Sequence, residues 1–155
     1  MHTKHYTGIR RFSEMLKDID PLLRGELLKA LDELGHGEEV ALVDRNFPAY
    51  GVGVQVVDLG EVNCDRASKA LFSVLPLDEF GDSPIIRMGI DGQPRVTNGA
   101  HDSVRENANA SMGKDWQWVE VPRIEFYSRI REVRLVIRCL EDAPYACFIF
   151  RKGIV

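Results

Sequence analysis

Leu27, Leu31 and Leu34 recur at i, i+4 and i+7, with Leu28 beside them. That spacing lays an apolar stripe along one side of a helix and predicts a helix over 26–34. Gly25 stands at its N-terminal edge, and Gly35 stands where a C-capping glycine belongs. Val40-Ala41-Leu42-Val43 is then a short unbroken apolar run, the pattern of a buried strand. A Val-rich stretch over 52–59 reads as a second strand. Asn63 is a good N-cap for a helix that runs through Ala67, Leu71, Val74 and Leu75 and stops at Pro76. A strand is expected over 84–90 and a polar loop over 92–99. A weaker helix follows over 101–112, with Asp102 near its start and Gly113 at its end. After a short strand over 118–121, Pro122 suits the first turn of a helix that carries Phe126, Tyr127 and Ile130. Two strands, 134–140 and 146–151, close the chain. Glu141-Asp142-Ala143-Pro144-Tyr145 joins them.

Helices that alternate with short apolar strands predict an α/β layered domain. The 155 residues suit one such domain, and no repeat, low-complexity tract or Gly/Ser linker divides them. Residues 1–14 are polar apart from Ile9 and Phe12, and Met15 opens a segment that reads as a start of its own. Residues 1–14 are therefore expected to be an extension of a domain spanning 15–155.

The formal net charge of −4 argues against a nucleic-acid binder that works by basic surface alone. Arg123, Arg129, Arg131, Arg134 and Arg138 still make one region locally basic. No run of 18 apolar residues predicts a membrane helix, and the N-terminus has no apolar core of a secretory signal. Cys64, Cys139 and Cys147 are odd in number and widely spaced, so neither a disulfide framework nor a zinc motif is expected. Three reduced thiols fit a cytoplasmic protein. No G-x-G-x-x-G, G-x-x-x-x-G-K-[ST] or H-E-x-x-H motif is present.

His36 lies between two glycines just beyond a helix end, and Asp44 follows the next strand directly. Ligands of open α/β sheets gather at the carboxyl ends of strands. The short strand is therefore expected to bring the Asp44 carboxylate near the imidazole, where it would fix the tautomer of a group able to exchange protons near neutrality. By spacing alone the plainer reading stands beside it: an exposed turn histidine and a strand-end cap. Arg123 offers a fork of donors to adjacent hydroxyls. Tyr127 and Tyr145 offer a hydroxyl and a flat face. The plain alternative is a helix-surface arginine and two core or rim tyrosines.

Four stretches, in order, carry a resemblance: LLKALDELGHGEEVALVDRNFPA, PLDEF, RIEFYSRIREVRLVI and YACFIFRKGIV. Together they resemble the L-fucose mutarotase/D-ribose pyranase family, nearer its fucose branch, over about 15–155. The block from the first helix through Gly-His-Gly to Asp44 and Phe47-Pro48 is the most specific part, and 81–118 carries little of the likeness. The resemblance implies a three-layer α/β/α sandwich with a mixed sheet. It also implies a cofactor-independent isomerase, without metal, that interconverts ring forms of a free monosaccharide such as L-fucose or a related aldose. It makes His36 the catalytic acid/base. Asp44 would hold a sugar hydroxyl or orient His36, and Arg123 and Tyr145 would bind hydroxyls. Tyr145 is also a candidate second proton relay, and Tyr127 a weaker contact. Members of the family form homo-oligomers, a decamer or another ring, with the pocket partly completed by a neighbouring subunit. No nucleic acid and no membrane is implied.

This chain departs from the family at two places. Cys147 stands in the sugar-contacting position where the family has Asn. Arg45 follows Asp44, and Asn46 stands where the bacterial fucose enzymes often carry His. Both departures bear on which sugar fits. They leave open a non-catalytic monosaccharide-binding or transport-accessory protein of the same fold.

Overall fold

The computed structural model describes residues 15–155; the expected extension over 1–14 lies outside the described residues. In chain order the elements are α1 (Gly25–Asp32), β1 (Glu39–Val43), β2 (Val56–Asp58), α2 (Cys64–Phe72), β3 (Ile85–Met88), α3 (Gly99–Met112), β4 (Val119–Val121), α4 (Arg123–Arg129), β5 (Leu135–Arg138) and β6 (Phe148–Arg151). The strands form one mixed sheet in the order β2-β5-β1-β6-β3-β4. Strand β1 pairs parallel with β5, β5 parallel with β2, and β3 parallel with β4. Only β6 runs the other way, antiparallel to both β1 and β3.

Burial on both faces explains why β1 is unbroken in its apolar character. Val40 and Leu42 pack with Leu27 and Leu31 of α1, Ala67 and Leu71 of α2, and Val104 and Ala108 of α3. Ala41 and Val43 pack on the opposite face with Phe126 of α4, Ile130 and Phe47. The result is the expected α/β/α sandwich, with three helices on one face and α4 on the other. Strand β6 shows the same alternation: Phe148 and Phe150 face the three-helix layer and Ile149 faces α4.

Local chemistry sets most boundaries. The Asn63 side chain accepts from the Arg66 N–H at 2.8 Å, capping α2 as expected. Helix α3 starts two residues before its predicted position, because Asn98 and His101 form a reciprocal capping box, and it ends at Gly113 with φ 62°. Three expectations need correction. Gly35 is not a left-handed cap; α1 ends through right-handed Glu33, and the Gly35 N–H donates to the Glu38 carboxylate at 2.8 Å. The strand expected over 52–59 shrinks to three residues, because a 3₁₀ turn at Ala49–Gly51 and Gly53 with φ 84° occupy its start. Pro122 precedes α4 instead of opening it.

One close approach ties the chain end to the sheet. The Gly153 N–H donates to the Pro76 carbonyl at 2.8 Å, and Leu77 bridges Lys152. A Cβ on Gly153 would lie 2.6 Å from the Leu77 carbonyl oxygen, a backbone atom that cannot swing aside. Gly153→Ala is expected to destabilise the fold by about 1–3 kcal/mol. Urea unfolding would read this as a lower midpoint at unchanged slope.

Candidate functional site

Since five strands run one way, their carboxyl ends share one rim of the sheet with the amino end of β6. The opposite rim carries the carboxyl end of β6. The candidate residues divide between these rims.

On the first rim, Asp44 follows β1 and is 4% exposed. Its Oδ1 accepts the N–H groups of Asn46 at 3.1 Å and Phe47 at 3.0 Å, and its carboxylate also meets the Ala146 N–H and the Cys147 thiol. The plain strand-end reading of Asp44 is thus realised: the side chain caps the turn that follows β1. Cys147, itself 2% exposed, points at this carboxylate. Tyr145 packs half-buried beside it with φ 59°. Tyr127 stacks on Phe47 at 5.4 Å between centroids, and the Arg123 guanidinium lies 6.0 Å from the Tyr127 ring. Arg123 is held by Asp91, Nε to Oδ2 at 2.9 Å. Arg123, Asp91, Gly89 and Glu120 line a cavity of about 260 Å³.

On the second rim, His36 is 48% exposed and its Nε2 lies 3.2 Å from Asp78 Oδ1. Asp78 is 5% exposed and also accepts from Arg151 Nε at 2.8 Å and the Phe80 N–H at 3.1 Å. The Phe80 ring packs on the imidazole at 5.8 Å. Gly37, with φ 84°, provides the left-handed turn into β1, and its N–H donates to the Lys152 carbonyl at 2.8 Å.

The expected approach of Asp44 to His36 within one chain is therefore overturned. All five residues of β1 stand between them. At about 3.3 Å per residue that is roughly 16 Å of sheet. The carboxylate that orients His36 is Asp78. Sequence reasoning missed Asp78, Arg151 and Asp91, although the first two lie inside the PLDEF and YACFIFRKGIV stretches that carry the resemblance. Nothing in the spacing flagged Asp91, which lies in the region of least likeness. The rim does bring Asp44, Arg123, Tyr127, Tyr145 and Cys147 to one side of the sheet. Among the described residues, no three His, Cys, Asp or Glu side chains converge as metal ligands.

The RbsD / FucU transport protein family model matches residues 17–155, nearly all of the described fold. The chain belongs to this family. An L-fucose mutarotase of Haemophilus influenzae is 30% identical over 141 residues, covering 90% of this chain and 97% of that protein. The FucU structure from Bifidobacterium longum aligns with a TM-score of 0.83 at 30% identity, covering 90% of this chain and 99% of that one. A fucose mutarotase from Streptococcus pneumoniae, solved in complex with L-fucose, aligns with a TM-score of 0.83 at 26% identity over the same shares.

The two buried carboxylates on opposite rims of this RbsD/FucU-family protein are tuned in opposite directions. Burial pushes the Asp44 carboxyl above the ordinary carboxylate value, and the backbone donors of Asn46 and Phe47 only partly offset it. Burial also acts upward on Asp78, but the Phe80 N–H, Arg151 and His36 together hold it below the ordinary value. Asp78 is thus an ionised acceptor, so His36 must donate from Nε2. Neutral His36 then keeps its lone pair on Nδ1. Because the folded-state value of Asp78 lies below the unfolded one, its ionised form stabilises the fold fully above the carboxylate range. That contribution is lost as pH falls through the depressed value. Asp78→Asn is expected to cost on the order of 2 kcal/mol at neutral pH. Urea unfolding across pH should show the gap narrowing below about pH 4.

Proposed function

We propose that this protein is a cytoplasmic monosaccharide mutarotase, acting on L-fucose or a related free aldose, with each active site built from two copies of the chain. The observation that carries this reading is the division of labour between the rims. One rim holds an oriented imidazole, and its guanidinium, Arg151, is committed to Asp78 and to the Phe80 and Asp82 carbonyls. The other holds Arg123, Tyr127 and Tyr145, and its carboxylates are committed, Asp44 to backbone N–H groups and the Cys147 thiol and Asp91 to Arg123. Joining the His36 rim of one subunit to the Asp44 rim of the next assembles the full set. Exposed apolar side chains lie along both rims, Phe80 and Ile154 on the His36 rim and Tyr50, Ile124 and Tyr127 on the Asp44 rim. Such a head-to-tail contact is heterologous, and it closes as a ring.

Mutarotation requires ring opening. A base removes the proton of the anomeric hydroxyl as the bond from the anomeric carbon to the ring oxygen breaks, and an acid protonates that ring oxygen; the resulting aldehyde rotates and the ring recloses on its other face. His36 Nδ1 is the base, and Asp78 stabilises the imidazolium that forms. Tyr145 serves as the partner acid on the ring oxygen. Arg123 and Tyr127 hold hydroxyls, and the Tyr127 face lies against the C–H side of the sugar. Asp44 and Cys147 form the inner wall, with the carboxylate edge offered to one hydroxyl. Cys147 acts through Asp44, because the thiol is buried against it.

His36→Ala should slow anomer exchange of L-fucose roughly 10²–10⁴-fold with the fold intact. Saturation-transfer NMR measures that rate, and an unchanged rate would remove His36 from the mechanism. A mixing experiment tests the two-chain site. His36→Ala and Arg123→Ala subunits, each inactive alone, are refolded together in equal amounts. About one quarter of head-to-tail contacts then combine two intact halves, so about a quarter of the wild-type rate should return. A site contained within one chain would return none.

A further inference from the structure

Tyr145 holds φ 59°, a left-handed conformation that a bulky L residue keeps only where its surroundings enforce it. The enforcing contacts come from the start of α3. His101 Nε2 lies 2.8 Å from the Tyr145 carbonyl oxygen, and Asn98 Nδ2 donates to the Pro144 carbonyl at 2.8 Å. On the other side of the same segment, the Ala146 N–H is held by Asp44.

His101 is 0% exposed, with its ring edge-on to Phe148 at 5.8 Å. Its Nδ1 accepts the Asn98 N–H at 3.2 Å, while Asn98 Oδ1 accepts the His101 N–H at 3.0 Å. With Nδ1 committed as an acceptor, the proton of the neutral ring sits on Nε2, which therefore donates to Tyr145. Burial opposes a second proton on the ring, and Arg87, buried on the same face of the sheet and paired with Glu120 at 3.3 Å, adds to that opposition. Capping boxes ordinarily place Glu or Gln at this third helical position. A Glu would cap the helix equally well but would have nothing to donate to Tyr145. The imidazole does both.

We infer that His101 is a positioning residue that sets Tyr145 toward the sugar, through the bond from its Nε2–H to the Tyr145 carbonyl. The inference rests on the reading of Tyr145 as a sugar contact. It adds a residue that never touches the substrate and that lies in the stretch least like the family.

The test compares His101→Gln with His101→Met, reading KM and kcat for L-fucose exchange and the crystal structure of each variant. Gln carries an acceptor and a donor at nearly the spacing of the ring nitrogens. It should therefore keep kcat/KM within about twofold of wild type, whereas Met should lower kcat/KM at least about tenfold through both kcat and KM, because Tyr145 both holds and protonates the sugar. Asn98→Ser keeps an N-cap but frees the Pro144 carbonyl, and it serves if the Met variant does not fold. Its kcat/KM should fall severalfold. In the Met or Ser structure Tyr145 should leave the left-handed region. A folded Met variant with wild-type kcat and KM overturns the inference, as does a Gln variant impaired as severely as Met. If the wild type accelerates exchange of no sugar, the functional reading fails by itself. The Tyr145 backbone in the Met or Ser structure then decides the positioning role separately: unmoved, that role is overturned; displaced, His101 positions Tyr145 although the functional reading has failed.

Discussion

Strand β6 runs antiparallel between two strands that are parallel to each other, and nearly everything about the site follows from that insertion. Its register sets Arg151 opposite Glu39 and Phe148 opposite Leu42. Its two ends must then reach opposite rims. Tyr145 and Cys147 enter it beside Asp44, and Arg151 leaves it beside His36 and Asp78. Phe148, Ile149 and Phe150 are fully buried, with alternate side chains in different layers. A slip of one residue would turn both phenylalanines into the α4 layer, so the hydrophobic core forbids it. Positions of polar groups on both rims are thereby fixed by apolar packing in the middle.

The electrostatics divide along the same line. Asp44 and Asp78 are both almost wholly buried, yet burial prevails at one and not at the other. Asp44 faces backbone N–H groups and a thiol, which are neutral donors; they satisfy its lone pairs without cancelling the cost of removing a charge from water. Asp78 accepts the Phe80 N–H and also faces the guanidinium of Arg151, delivered by β6, and the imidazole of His36; together these donors outweigh the cost of its burial. The consequence is chemical. An anion on Asp78 dictates the tautomer of His36, while Asp44 serves as the anchor of the 145–147 segment. The carboxylate that sequence spacing placed beside the imidazole is thus the scaffold of the opposite rim.

The sequence discloses those parts of this arrangement that depend on neighbours along the chain. The leucine stripe of α1, the apolar run of β1, the Asn63 cap and Gly113 are local signals, and each reappears where it was expected. The α/β/α layering follows from how they alternate. What stayed hidden is non-local. Spacing along the chain places His36 eight positions from Asp44, but a strand converts sequence proximity into spatial separation, whereas a helix of that length would not have carried them as far. Asp78 reaches His36 across 42 positions and Arg151 reaches Asp78 across 73, through pairing that no periodicity reveals. His101 was visible only as part of a weak helix. Its second nitrogen acquires a role when the loop before β6 folds against it.

The separation of the rims also constrains assembly. Stacked end to end about a two-fold axis, like rims would meet: two imidazoles would face each other, or two Arg123 forks would. A head-to-tail contact alone, in that stacking, sets an imidazole against a fork, and it does so once at every interface. In the proposed arrangement an isolated chain has both half-sites and no complete one. A closed ring has as many complete sites as subunits, and an open chain of copies has one fewer. Closure therefore serves the chemistry as well as the exposed apolar side chains. The geometry that permits it is the length of β1, which keeps the two half-sites of one chain too far apart to satisfy each other.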